Sequence, residues 1–442
     1  MNTCFTARYL VQGAHSIIEN GFMVVKGDTI KDVGLIQDMP NQDWPQGIQN
    51  ASTHFDLITP GFINTHAHLE LTYPYSIPLL DGESMGDWLF KVFCNRDKPY
   101  CIEGQALSPE DALSHRIESG IHQLLQSGVT TVNDISQLGE SLPILAKNCV
   151  RGIVSLEFFH PDTQSLRPQS LAPTIDRYLE LQNEFEKIST LTVGLSPHAL
   201  YNVSPEAWRY VIHACNPPLV HTHLAESKDE MAWLFHQATA NNTIHQLHQA
   251  VLKQTFHSPL QTQTPAAENL IAQMQALGLF EIPTILAHGL YLNETDLSTV
   301  QKDGLPVSLA HCPQSNIWLQ NDTLSPQRWQ YPFSMAVGLG TDSQLSVASL
   351  DIRHDARVMR DRFQLSAMET LNMLTLQGAR ALFMDDAVGT LFPGKQADWL
   401  GWQFPHQPDG SLSLADSLDA CLTPGTKPQV IQIAGKAPTL DI

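Results

Sequence analysis

Hydrophobic positions in this chain fall into two textures. Through the middle, short unbroken apolar runs alternate with stretches of helical period, whereas both ends carry short alternating segments punctuated by Gly and Pro. The first texture is that of repeated βα units, whose strands are buried on both faces and so read as continuous apolar runs. Eight such strands are predicted near residues 58–63, 129–134, 152–157, 191–196, 218–222, 284–287, 306–310 and 336–341, with helices over Pro109–Ser127, Pro205–Ala214 and Ala367–Leu382. Eight βα units predict an α/β fold, a (β/α)8 TIM-type barrel with the C-terminal strand ends gathered on one rim. The terminal texture predicts strands at Tyr9–Val11, Gly21–Val25 and Thr29–Val33, a hairpin turn at Lys26-Gly27-Asp28, and further strands at Val388–Leu391, Ala397–Trp402 and Val430–Ala434. The two ends are expected to fold together as a small β-sandwich, residues 1–57 plus 385–442, around a barrel of residues 58–384.

Two connections are longer than βα units need. Residues 69–108 follow the first strand, where loops cover the rim of a barrel. Residues 227–270 follow the fifth and are rich in Gln, His, Thr and Asn; their histidines, His236, His245, His248 and His257, are expected at the solvated surface.

Composition narrows the classes of function. Hydrophobic residues at 43% and charged residues at 16% describe a folded chain rather than a disordered one. The net charge of −20, with no block of like charge, reads as a solvated acidic surface and disfavours nucleic acid, which needs a basic face. Seven irregularly spaced cysteines without a C-x-x-C predict reduced thiols in a cytoplasmic protein. The first residues lack a basic segment followed by an apolar core, and no run approaches the ~18 apolar residues of a membrane span, so no membrane partner is expected.

Candidate chemistry clusters at the predicted strand ends. His66-Ala67-His68, His221-Thr222-His223-Leu224-Ala225-Glu226, His288 and Asp342 each follow an apolar run, and they converge only if those strands are neighbours. Two histidines spaced by two on a strand present both rings on one face, able to bind one ion. Three or more N/O ligands with water completing the shell describe a hydrolytic metal centre rather than a closed structural one.

Pro60-Gly61-Phe62-Ile63-Asn64-Thr65-His66-Ala67-His68, the later His-x-His-x-x-Glu, Ala287-His288-Gly289 and Gly340-Thr341-Asp342-Ser343 together resemble the amidohydrolase superfamily, in its aminopurine deaminase and chlorohydrolase branch. The resemblance spans essentially the whole chain. It implies that His66, His68, His223 and Asp342 are metal ligands, with His223 preferred to His221 because it stands three residues before the acid–base Glu226. It also implies one divalent ion, zinc or else iron(II) or manganese, since the fourth strand ends Gly194-Leu195-Ser196-Pro197-His198 without the bridging lysine of binuclear members. Glu226 and His288, with Asp342, are the implied catalytic groups acting on hydroxide at the metal; as an alternative, Glu226 is simply a helix N-terminal acid. His198 resembles the family's substrate-contacting histidine, or satisfies local backbone, and His311-Cys312-Pro313-Gln314-Ser315-Asn316 resembles a segment that shapes the pocket.

The first long loop bears on substrate. His68-Leu69-Glu70-Leu71, Trp88–Val92 and Asn95-Arg96 resemble the 6-aminodeoxyfutalosine deaminases. Glu70, two residues past His68 on the same strand face, would bond a purine edge or ribose. Arg96 would pair with a benzoate carboxylate, or else make a loop salt bridge. The expected substrate is 6-amino-6-deoxyfutalosine. The alternatives are S-adenosylhomocysteine/methylthioadenosine or guanine deamination, dechlorination or opening of a cyclic amide on another N-heterocycle, and, from another class, a non-catalytic scaffold. The resemblance also implies a homodimer.

Overall fold

The protein is described here from a computed structural model over residues 2–39, 54–96, 98–102, 104–160, 168–238, 242–248, 258–260, 269–319, 321, 323, 335–405 and 412–439. Its strands in chain order are β1 (Asn2–Gly13), β2 (Ser16–Lys26), β3 (Thr29–Leu35), β4 (His54–Pro60), β5 (Phe62–Ala67), β6 (Cys101–Ile102), β7 (Gln105–Ala106), β8 (Val129–Ser136) and β9 (Arg151–Phe158). They continue with β10 (Leu191–Pro197), β11 (Val220–Leu224), β12 (Thr284–His288), β13 (Val307–His311), β14 (Val337–Leu339), β15 (Trp399–Trp402) and β16 (Val430–Gln432).

Eight strands form one parallel sheet in the order β14-β13-β12-β11-β10-β9-β8-β5. Its two edges meet where the Asp342 N–H donates to the His66 carbonyl at 3.0 Å and Ala67 bridges Asp342 in parallel register, which closes the sheet as a barrel. Every residue of β8, β9, β11, β12 and β13 is buried, the signature of strands covered on both faces. Helices follow the strands as the sequence period predicts. The helix Pro109–Gln126 starts at a Ser108 cap that accepts from the Asp111 N–H, with Pro109 in the first turn, where its missing N–H costs nothing. The segment from Ala367 to Ala381 is helical but takes a π turn over Met373–Gln377.

A second, six-stranded sheet joins the two ends of the chain in the order β16-β15-β4-β1-β2-β3. The hairpin between β2 and β3 turns on Gly27 at φ +63°, which a two-residue loop requires. A buried ion pair ties this sheet to the barrel: Arg151 of β9 donates to both carboxylate oxygens of Asp398, at 2.6 and 3.1 Å.

Two strand expectations are corrected. The apolar run at 58–63 is not one barrel strand, because the chain breaks at Gly61 between β4 of the terminal sheet and β5 of the barrel, so that β4 runs through the expected 57/58 boundary. A Cβ at Gly61 would lie 2.0 Å from Thr130 Oγ1, so only glycine permits the change of sheet there. Val388–Leu391 is not a strand either, although the Leu391 N–H still bonds the Gln12 carbonyl at 2.8 Å. Among the described residues no cysteine is paired, and no helix is long and apolar enough to cross a membrane.

Candidate metal and active site

The C-terminal strand ends bring the four sequence clusters to one point. His66 Nε2 and His68 Nε2 lie 3.7 and 3.5 Å from Asp342 Oδ1. Ligand atoms of His66, His223 and His288 lie within 4.8 Å of one another, as do those of His66, His68 and Asp342. His66 is buried inside β5, His68 just beyond its end, and His223 and His288 on the neighbouring β11 and β12. Ala225, His288 and Asp342 all adopt left-handed backbone, at φ +54°, +68° and +62°. Such conformations are costly for non-glycine residues and persist where the surroundings fix a functional geometry.

Hydrogen bonds set which nitrogen of each ring faces the cluster. His223 Nδ1 lies 3.2 Å from the His198 carbonyl and His288 Nδ1 3.0 Å from Asn316 Oδ1, so both rings donate away from the site through Nδ1 and present Nε2 to it. His66 Nδ1 faces His221 Nε2 at 3.1 Å. His221 Nδ1 in turn lies 2.9 Å from the side-chain amide of Asn133, which Ser155 Oγ bonds at 3.1 Å. His221 therefore holds a ring that faces the cluster rather than facing it itself. Asp342 is fixed by Ser315 Oγ at 2.6 Å, Ser346 Oγ at 3.2 Å and the Ser343 N–H at 2.7 Å.

The electrostatics favour neutral imidazoles. Burial, and then the neighbouring histidines, push His66 and His223 well below the usual imidazole range, and His221 to about 3. The buried Nε2 atoms of His66 and His288 have no hydrogen-bond partner among the described residues. Orphaned lone pairs aimed at one point, beside a carboxylate, are a donor set that suits a divalent ion such as zinc, iron(II) or manganese.

Glu226 lies in the turn after β11, its Oε1 3.4 Å from His288 Nε2. Glu230, in the first turn of the following helix, accepts from the Ala225 and Glu226 N–H groups at 3.2 and 2.8 Å and so fixes this turn. Burial and then Asp342 push the Glu226 carboxyl well above its usual range.

These groups open onto a cavity also lined by Leu71, Met85, Trp88, Leu89, Val92, Phe93, Glu157, Phe159, His198, Tyr201 and Leu247. The helix Met85–Arg96 from the first long connection covers it, with one turn after another facing inward, and Leu247 comes from the second long connection. Gly86 lets that helix approach Thr243, whose Cβ would lie 2.5 Å from any Cβ there.

His198 lines the cavity, stacked on His223 with centroids 4.6 Å apart. Arg96 ends the covering helix one turn beyond Val92, but its side chain lies outside the described residues. Glu70 is not brought in. β5 ends at Ala67 and Leu69–Leu71 turn as a 3-10 helix, so the period of two that aligned Glu70 with His68 does not continue. Its carboxylate accepts from Ser136 Oγ and from the Gln137 N–H, the latter at 3.1 Å. His248, expected in solvent, is buried with Nε2 2.6 Å from the Tyr201 carbonyl, while His257 lies outside the described residues. His311 supports the site from behind, its Nδ1 3.2 Å from the His288 carbonyl. Glu157 and Tyr201 were missed in the sequence, where the only signal was an acid at the end of a predicted barrel strand and a tyrosine in the turn after another.

Residues 57–434 match the Amidohydrolase family. The 5-methylthioadenosine/S-adenosylhomocysteine deaminase of Caldanaerobacter subterraneus is 25% identical over 398 residues, 86% of this chain and 80% of that protein. The guanine deaminase of Escherichia coli is 27% identical over 440 residues, 94% of this chain and 90% of that protein. The crystal structure of Helicobacter pylori aminofutalosine deaminase in complex with methylthio-coformycin has the same fold, with a TM-score of 0.78 at 18% identity over 99% of this chain and 100% of that one.

Proposed function

The chain belongs to the amidohydrolase family, a metal-dependent family of hydrolases acting on C–N bonds, and from that premise we propose that it deaminates an aminopurine nucleoside, with 6-amino-6-deoxyfutalosine as the leading substrate. Its relatives, named as deaminases of methylthioadenosine/S-adenosylhomocysteine and of guanine, support that reading. The observation that carries the proposal is the convergence of His66, His68, His223 and Asp342 beside a buried Glu226.

His66, His68, His223 and Asp342 would hold one divalent ion, zinc by preference. Such an ion lowers the pKa of a bound water toward ~7 and so supplies a nucleophile at neutral pH. The remaining work falls to the side chains. Glu226, with a raised proton affinity, takes a proton at its carboxylate and returns it to a ring nitrogen of the substrate. His288, its Nδ1–H committed to Asn316, offers Nε2 to hold the attacking water or the tetrahedral centre. Asp342, held by two serine hydroxyls, assists transfer of the second proton to departing ammonia. His198 stacks beside His223, where the heterocycle would lie, and the apolar faces of Trp88, Val92 and Phe159 exclude water.

The finer choice of substrate rests on the covering helix, which ends at Arg96, one turn beyond Val92. A guanidinium there would pair with a benzoate carboxylate. Zinc-loaded protein should be offered 6-amino-6-deoxyfutalosine, methylthioadenosine, S-adenosylhomocysteine, adenosine and guanine, with the absorbance change of deamination followed. Turnover of the first at least tenfold faster than of adenosine supports the reading. Faster turnover of another keeps the deaminase and discards the benzoate assignment.

A further inference from the structure

Among the polar side chains that line the cavity, Tyr201 and Glu157 are not used by the proposed chemistry. Tyr201 stands three residues after His198 in the turn following β10; it is 2% exposed, lines the cavity, and its hydroxyl has no hydrogen-bond partner among the described residues. Glu157 is the penultimate residue of β9, is 8% exposed and lines the same cavity. One of its carboxylate oxygens lies within 4.8 Å of a ring nitrogen of His198 and of His223. Their surroundings are aromatic and apolar: Phe159 packs on His198 with centroids 5.0 Å apart, and the His198 and Tyr201 rings meet edge to face at 5.7 Å.

A buried hydroxyl left without a partner is unfavourable, and it is retained where a ligand supplies the partner. A carboxylate in the same enclosure accepts hydrogen bonds only, whereas the tyrosine can donate. Burial, and then Glu226, Glu230 and Glu157, hold the Tyr201 hydroxyl well above its usual pKa, so it keeps its proton.

We propose that Tyr201 and Glu157 form a substrate-reading subsite for a neighbouring acceptor–donor pair, Tyr201 donating to the acceptor and Glu157 receiving the donor. This deepens the proposed deaminase function and rests on it. The ligand chemistry is that of an uncharged aminopurine nucleoside, which offers such a pair in its ribose hydroxyls. Glu157 lies so near His223 that the pair is read beside the reacting ring, not at the far end of a 5′ substituent.

The test uses full-length zinc-loaded protein and its Tyr201→Phe and Glu157→Gln variants, with adenosine, 2′-deoxyadenosine, 3′-deoxyadenosine and adenine as probes. Binding is measured by calorimetry and deamination by ammonia release. Both variants should weaken adenosine binding by about tenfold, the scale of one lost hydrogen bond. Tyr201→Phe should melt no lower than the parent, because the hydroxyl it removes bonds nothing among the described residues. Loss confined to adenosine, the one probe with both ribose hydroxyls, supports the proposal; equal loss on all four probes overturns it. Unchanged binding of every probe in both variants overturns the proposal. A parent that binds adenosine without releasing ammonia from any probe overturns the deaminase reading, while the binding differences still judge the subsite. A parent that binds none of the four overturns the subsite as well.

Discussion

Replacing His221 by alanine removes no proposed metal ligand, yet it should loosen the metal. If a metal occupies His66 Nε2, the ring proton must sit on Nδ1, and that N–H then donates to His221 Nε2 at 3.1 Å. His221 must accordingly carry its own proton on Nδ1 and give it to Asn133, whose amide then turns its oxygen to the histidine and its nitrogen to Ser155 Oγ. All four residues are completely buried, so water cannot replace a missing partner. Leaving the His66 N–H unsatisfied costs about 1–3 kcal/mol, which is about 5- to 150-fold in metal affinity if the whole cost falls on the bound state. The range agrees with the about 10- to 100-fold seen when outer-shell partners of metal sites are removed. Zinc dissociation constants from competition with a chromophoric chelator provide the assay. His221→Ala should lose at least tenfold, and His221→Gln, which keeps an acceptor, should lose less. A His221→Ala protein that keeps its fold and binds zinc as tightly as the parent would refute the relay.

Other consequences follow from the same geometry. Glu226→Gln should keep its metal content while kcat falls by about 10²- to 10⁴-fold, measured by ammonia release alongside metal analysis. Asp398→Ala strips the buried Arg151 of its carboxylate partner and the Ala434 N–H of its acceptor at 2.7 Å, and should cost about 3–5 kcal/mol in urea unfolding. Burial lowers His248 and His311 to about 4 from an ordinary 6.5. The unfolded chain therefore binds protons that the folded chain refuses, and their contribution to stability is complete above pH 6.5 and lost as pH falls toward 4. Metal-free protein followed by thermal melting should lose Tm across that interval; a flat profile would contradict it.

Much of the architecture was legible because strands buried on both faces leave unbroken apolar runs, and histidines at their ends mark the rim. The break at Gly61 was not, since the run from Leu57 to Ile63 stays apolar through it and only the close approach of Thr130 demands the glycine. Glu70 shows the limit of period-two reasoning: it assumes the strand goes on, whereas β5 stops at Ala67 and the 3-10 turn carries the carboxylate to Ser136. Glu157 and His248 lay hidden for a related reason. Whether a side chain at a strand end or in a long connection faces the cavity, the core or solvent is decided by what packs over it, here Phe159, the covering helix and the turn at Tyr201.

The central claim is that one divalent ion at this cluster drives deamination of an aminopurine. It is tested most directly by stripping the protein with a chelator and titrating zinc back while ammonia release from 6-amino-6-deoxyfutalosine and adenosine is recorded. Release should be absent without metal and should rise to saturation at one equivalent per chain. Undiminished release from the stripped protein, or none from either substrate at full loading, would contradict it.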